Sequence, residues 1–204
     1  TPCGTLFPYT TLFRSANLII PRVRFLGNSI LSILTKIASG YWHISDTQTA
    51  FTAISLKAVK LIKIHELYPS YGYPNDILVK LNTNFCTIKE VPIKPVYEIG
   101  EQSKMKIMRV IPRISKILIK GFFKRLLQKY LKKSFHPLFL LYHFGFLLLT
   151  ISLPFGIKIL TRVITQTQAN PVTAIAFVFL FISGFQFLLF AMWMDIQDNE
   201  RLNK

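Results

Sequence analysis

LFLLYHFGFLLLTISLPFGI, Leu138 to Ile157, and VTAIAFVFLFISGFQFLLFAMWM, Val172 to Met194, decide the architecture of this 204-residue chain. Neither run holds an Asp, Glu, Lys or Arg, and a helix of roughly 20 apolar residues is long enough to cross the hydrocarbon core of a bilayer. The expectation is an integral membrane protein with a transmembrane hairpin over 137–194. Lys158 to Pro171 is short enough to join the two helices directly, so both ends of the hairpin share one side. From Lys104 to Lys133 there are eleven Lys or Arg residues and no acidic one, whereas the connector carries only Lys158 and Arg162. The bias of cations toward the inner side predicts that the region before the hairpin and the tail 195–204 are cytosolic. A bacterial-type inner or plasma membrane is the expected location. Trp193 falls at the inner end, where an interfacial indole is favourable, and His143 and Gln186 are expected to hydrogen-bond between the helices.

Immediately upstream, 106–136 reads as a basic amphipathic segment. Lys106, Arg109, Arg113, Lys116, Lys120 and Lys124 recur three or four apart, and Ile107, Val110, Ile114, Ile117, Leu118, Phe122 and Leu126 interleave at similar spacing. Such a helix lies in the headgroup plane with anionic membrane lipid as its partner. The competing reading packs it on the soluble domain, and nucleic acid is not an expected partner. Pro112 is expected at a helix start or at a break between two shorter helices. Most of the formal charge of +16 is thereby assigned to the membrane surface.

The soluble part, 16–105, mixes helix and strand patterns and predicts part of an α/β layer. Leu26, Ile30, Ile33, Leu34 and Ile37 mark a helix over Phe25 to Ser39, ended by Gly40. A polar loop over His43 to Ala50 leads to a short strand, Phe51 to Ser55, and Ser55 is placed to cap a helix through Leu61. Tyr68 to Asn75 is a loop that delivers Asp76 to the first turn of a helix ending near Leu81. Thr87 to Ile93 and Pro95 to Tyr97 read as strands, with Pro92 and Pro95 favouring an edge. Cys3 and Cys86 offer no disulfide framework or metal-type pair.

TLFPYTTLFRS, Thr5 to Ser15, resembles the conceptual translation of a sequencing adapter. Residues 1–15 are therefore set aside as an adapter artefact, expected to make few core contacts, and the chain is read as a fragment that opens within a domain near Ala16.

Four polar clusters could carry chemistry: Arg22 with Arg24, Asp46, Asp76, and Ser103 with Lys104. Taken singly, a loop aspartate more often caps or turns than catalyses. Their order is more specific. PRVRFLGN (Pro21 to Asn28), SGYWHISDTQTAFTAIS (Ser39 to Ser55), YPSYGYPNDILVKLN (Tyr68 to Asn82), EVPIKPVY (Glu90 to Tyr97) and GEQSKM (Gly100 to Met105) together resemble the C-terminal half of the family-2 glycosyltransferases acting on polyprenyl phosphate, the dolichol-phosphate mannose synthase and bactoprenol glucosyltransferase group.

That resemblance implies the C-terminal part of a GT-A, Rossmann-like domain in 16–105, from an inverting hexosyltransferase. The nucleotide sugar would be its donor and polyprenyl phosphate its acceptor. It implies an acceptor-side catalytic role for Asp46, with Asp76 as a second catalytic residue orienting acceptor or sugar, acceptor-phosphate binding by Arg22 and Arg24, and donor-diphosphate binding by Ser103 and Lys104. Ala50 stands where the motif usually has glycine, and Tyr97, Glu98 and Ile99 supply no counterpart to the arginine that often precedes the later glycine. The family uses Mg²⁺ or Mn²⁺ held by an aspartate motif, and no DxD occurs in these 204 residues. The parent is thus expected to be metal-dependent, with this fragment inactive alone and contributing no metal ligand. The alternative is a non-enzymatic membrane adaptor that binds anionic lipid or an acidic partner.

Overall fold

The computed structural model describes residues 4–10, 22–47, 52–69, 72–93, 107–168 and 170–203. The described part is mostly helical, with two long apolar helices toward the C-terminus. Two compact units are present, one formed by 1–129 with 196–204 and the other by 130–195.

In the first unit, β1 (Gly4–Thr10) is followed by α1 (Arg22–Ser39), β2 (Ala53–Ile54), α2 (Leu56–Ile62), α3 (Tyr73–Thr83), β3 (Thr87–Ile93) and α4 (Ile107–Arg125). The strands form a small mixed sheet in the order β2-β1-β3, with β1 antiparallel to β2 and parallel to β3. Residues 4–10, within the stretch expected to make few core contacts, form a strand, and Gly4 to Thr10 pairs residue by residue with Thr87 to Ile93. Strand ladders are made by backbone groups. A heptapeptide rich in Thr, Phe and Tyr can enter one whatever its origin.

The strand Thr87–Ile93 and the capped helix after Ser55 form as the sequence predicts, with Ser55 Oγ accepting from the Ala58 N–H at 3.3 Å. Pro95 to Tyr97 lies outside the described residues. The core gathers Tyr41, Ile44, Ile62, Ile77, Leu81 and Ile88 beneath α2 and α3, and Leu202 joins it from the chain's last residues. The free edge of β3 is met by Asn203, with the Ile88 N–H donating to Leu202 O at 3.0 Å.

The buried side of helix α1 is made of small residues. Ile30, Ile33 and Leu34 face outward, whereas Ser32, Thr35, Ala38 and Ser39 are buried. Small residues on the inner side let α3 and α4 pack closely against α1, and the buried hydroxyls are satisfied, as where Thr35 Oγ1 donates to Asn75 Oδ1 at 2.6 Å.

The reading of α4 as a helix lying apolar-side-down on lipid also needs correction. Ile114, Leu118, Phe122 and Leu126 are buried in the protein, and α4 packs against α1 and α3. Gly121 makes the approach possible, since a Cβ there would stand 3.2 Å from Val79 Cγ2. Pro112 neither starts nor breaks α4 but sits within it. Its ring forfeits one backbone bond, and packing on two neighbouring helices holds the rest. Beyond Arg125 the chain continues as a π-helical stretch, Leu126–Lys133.

The second unit contains α5 (Pro137–Ile164) and most of α6 (Pro171–Glu200). Both are long and apolar enough to cross a membrane. The helices outrun the apolar runs, so the expected connector Lys158 to Pro171 is helical as far as Ile164. Glycines set their approach. A Cβ at Gly145 would lie 2.6 Å from Leu188 Cδ2, one at Gly156 2.8 Å from Phe177 Cε2, and one at Gly184 3.0 Å from the Leu149 backbone nitrogen. Close contact through small residues is how helices associate where lipid is no less apolar than their side chains. His143 does not reach across as expected, since its Nδ1 lies 2.7 Å from Phe139 O one turn back on α5. Gln186 is exposed on α6. Near the hairpin's ends, the buried Tyr130 hydroxyl donates to Asp195 Oδ1 at 2.6 Å.

Candidate functional site

The segment 40–47, which carries Asp46, begins where α1 stops. Gly40 adopts φ +79°, a conformation open to glycine at little cost, and its N–H closes the helix on Lys36 O at 2.7 Å. A fully buried Arg125 then covers the exposed carbonyls, Nε donating to Ala38 O at 2.9 Å and Nη2 to Ile37 O at 3.1 Å. A cation at a helix C-terminus opposes the negative end of the dipole. Glycine is required here twice over, because a Cβ would also come within 2.6 Å of Arg125 Nη1.

Beyond Gly40 the loop is fastened to the sheet. The buried Tyr41 hydroxyl donates to Cys86 O at 2.5 Å. Glu90 on β3 accepts from the Ser45 N–H at 2.6 Å and the Asp46 N–H at 3.4 Å, both on Oε1. Thr47 Oγ1 donates to Ser32 Oγ of α1 at 3.3 Å. Asp46 itself is half-buried. Its backbone is thus held by a carboxylate on a strand. His43, packed edge-on against the Tyr41 ring, has its pKa pushed below the ordinary value, chiefly by burial, against the opposing effect of a hydrogen bond with the Ile88 backbone.

Asp76 occupies the first turn of α3, as expected, and its Oδ2 is engaged twice. It accepts from the Tyr68 N–H at 2.9 Å and pairs with Lys80 Nζ at 3.1 Å. Those contacts fold the preceding loop onto the helix. Arg22 and Arg24 lie in the first turn of α1. Ser103 and Lys104 are outside the described residues. Among the described residues, no three His, Cys, Asp or Glu side chains are grouped as a cation site would need.

Sequence reasoning missed Glu90, because a carboxylate in a strand pattern reads as an outward residue. It also missed a buried network beside this loop. Lys129 Nζ donates to Asn199 Oδ1 at 2.6 Å and Asn82 Oδ1 at 3.1 Å, and pairs with Asp198 Oδ2 at 3.1 Å. An ammonium has three protons, and three acceptors meet them. Asn82 Nδ2 donates to Asn199 Oδ1 at 2.7 Å, while Asp198 also holds Arg201 at 2.8 Å. A signal was present: Arg125 and Lys129, four apart, sit on the same side of the helix as Phe122 and Leu126, where a solvated cation does not belong.

Comparison of the chain with protein-family models, curated protein sequences and solved structures returned no match.

Proposed function

We propose that this chain carries the acceptor half of a membrane glycosyltransferase that moves a hexose from a nucleotide sugar to polyprenyl phosphate at the cytosolic leaflet. The observation that carries the reading is Asp46. It lies in the motif SGYWHISDTQTAF, and its loop is pinned to β3 through Glu90 rather than left to solvent. A phosphate acceptor is already anionic, so no strong base is needed, and catalysis rests on alignment and charge balance. Asp46 orients the acceptor, and Arg22 and Arg24 bind its phosphate, a match guanidinium geometry suits. Ser103 and Lys104 contact the donor diphosphate. Asp76 acts by holding the 67–69 loop on α3, since its carboxylate is engaged there.

The divalent metal, Mg²⁺ or Mn²⁺, would be held by polypeptide outside these 204 residues and would stabilise the departing nucleotide. The outward apolar face of α1, Ile30, Ile33 and Leu34, fits a domain completed by further polypeptide. The apolar length of α5 and α6 and the cation asymmetry around them support a hairpin with both ends cytosolic.

The test is to clone the locus upstream of residue 16, express the extended protein in membranes, and follow radiolabelled sugar from nucleotide donors into the lipid phase. Transfer that a chelator abolishes is expected from the extended protein and none from the 204-residue chain. Silence from the extended protein across the donors, with the protein folded, would favour the adaptor reading. Transfer by the 204-residue chain alone would overturn the division into halves.

A further inference from the structure

The apolar face of α4 that the spacing assigns to lipid is spent on α1 and α3, yet the helix retains a second one. Ile119, Phe123 and Leu127 are 60%, 38% and 42% exposed. They recur every four residues and form one edge of the outward arc of α4 and the first π-helical turn. Lys116, Lys120 and Lys124, also exposed and four apart, form the adjoining edge. Neither stripe meets an acidic neighbour in sequence, for no Asp or Glu occurs between Gln102 and Met194. The stripe also leads in sequence to Pro137, where the apolar hairpin starts.

We propose that this outward face beds into the headgroup layer of an anionic bilayer, Ile119, Phe123 and Leu127 reaching the acyl boundary and Lys116, Lys120 and Lys124 pairing with lipid phosphates. Two observations commit the face to this occupant. A protein partner covering Ile119 and Phe123 would have to neutralise the lysine row beside them, which an anionic lipid surface does along its whole length. And Leu127 lies only ten residues before Pro137, where the proposed span begins, so the covalent tether alone keeps the stripe close to a bilayer surface. The inference rests on the membrane reading of α5 and α6 and is independent of glycosyl transfer.

The experiment places single nitroxide-labelled cysteines in the full chain, with Cys3 and Cys86 replaced, reconstituted into phosphatidylcholine vesicles with or without phosphatidylglycerol. Accessibility is read with oxygen, which concentrates in hydrocarbon, and with a water-soluble nickel chelate. Labels at Ile119, Phe123 and Leu127 should show a severalfold lower ratio of nickel to oxygen access than one at exposed Lys57 in α2, and lie within about 10 Å of the headgroup boundary. The difference should shrink without phosphatidylglycerol and in the variant Lys116→Glu/Lys120→Glu/Lys124→Glu. Water-like access at all three positions overturns the proposal, as does protection from both reagents, which would mean a protein contact. A label at Phe179 in α6 separates the two readings: if it reads as water-exposed, the membrane hairpin itself fails, whereas high oxygen access there with water-like access at Ile119 and Phe123 sinks only the present inference.

Discussion

Lys129 Nζ lies 3.1 Å from Asp198 Oδ2, and these two residues stand on either side of the apolar hairpin in sequence. The chain that leaves toward α5 is therefore tied, on its return, to the residue from which it left. The Lys129 side chain is fully buried and Asp198 nearly so. In such a setting the attraction is not blunted by water, but neither charge can be left alone.

Lys129→Ala should cost about 3 kcal/mol or more, the penalty for breaking a buried pair and stranding its partner. Thermal unfolding in detergent measures the loss. Limited proteolysis should show cleavage within 196–203 well before the core is cut. A variant with unchanged melting and a protected tail would show that the network contributes nothing to closure.

Gly40→Ala should destabilise the first unit by about 1–2 kcal/mol through the left-handed backbone alone, and by more because the new methyl meets the Arg125 guanidinium. Denaturant titration checks this. Pairing it with Arg125→Lys should recover only the steric part, since lysine vacates the space but loses the forked contact with Ile37 O and Ala38 O.

His43 gives the fold a pH dependence of defined sign. Burial holds its folded pKa below the ordinary 6.5, so the unfolded chain takes up the proton first. Stability is complete above the ordinary value and falls as pH drops through it toward the lowered folded value. Melting temperatures recorded on acidification across that window should decline, and His43→Gln should flatten the slope. An unchanged slope in the variant would assign the effect to other groups.

Topology can be read by thiol labelling in intact cells, again without Cys3 and Cys86. A cysteine at Gln166, in the connector, should react with an impermeant maleimide from outside, and one at exposed Glu200 only after permeabilisation. Asn199 is unsuitable because it is buried. The reverse pattern would invert the orientation derived from the cations.

On the proposed reading, Asp46→Asn in the extended protein should lower sugar transfer by at least about 100-fold, because small losses of alignment at a reacting centre carry rate penalties of that size. Glu90→Gln keeps an acceptor for the Ser45 N–H and should lower it far less. Arg22→Ala and Arg24→Ala should chiefly raise the KM for acceptor lipid. Equal activity in Asp46→Asn and the parent would remove the central assignment.

Legibility followed the range of the interactions. The helix over Arg22–Ser39, its end at Gly40, the cap at Ser55 and the strand Thr87–Ile93 depend on neighbours a few residues away, and the sequence pattern locates them within a few positions. The burial of α4 depends on its packing against α1 and α3, so hydropathy alone assigned its apolar face to lipid. Glu90 and Lys129 act through partners 44 or more residues distant. No periodicity encodes such a contact. Asp46 was singled out by motif, whereas the carboxylate that holds its backbone emerged only from the fold.

Leu202 fills the core beside Ile88, and its carbonyl takes the Ile88 N–H. A ribosome makes these residues after the whole hairpin, so during synthesis the first unit waits with an open core while α5 and α6 emerge. Its completion therefore waits on the synthesis of both long helices, and a chain stalled or cut before residue 196 would leave the domain without Leu202 in its core.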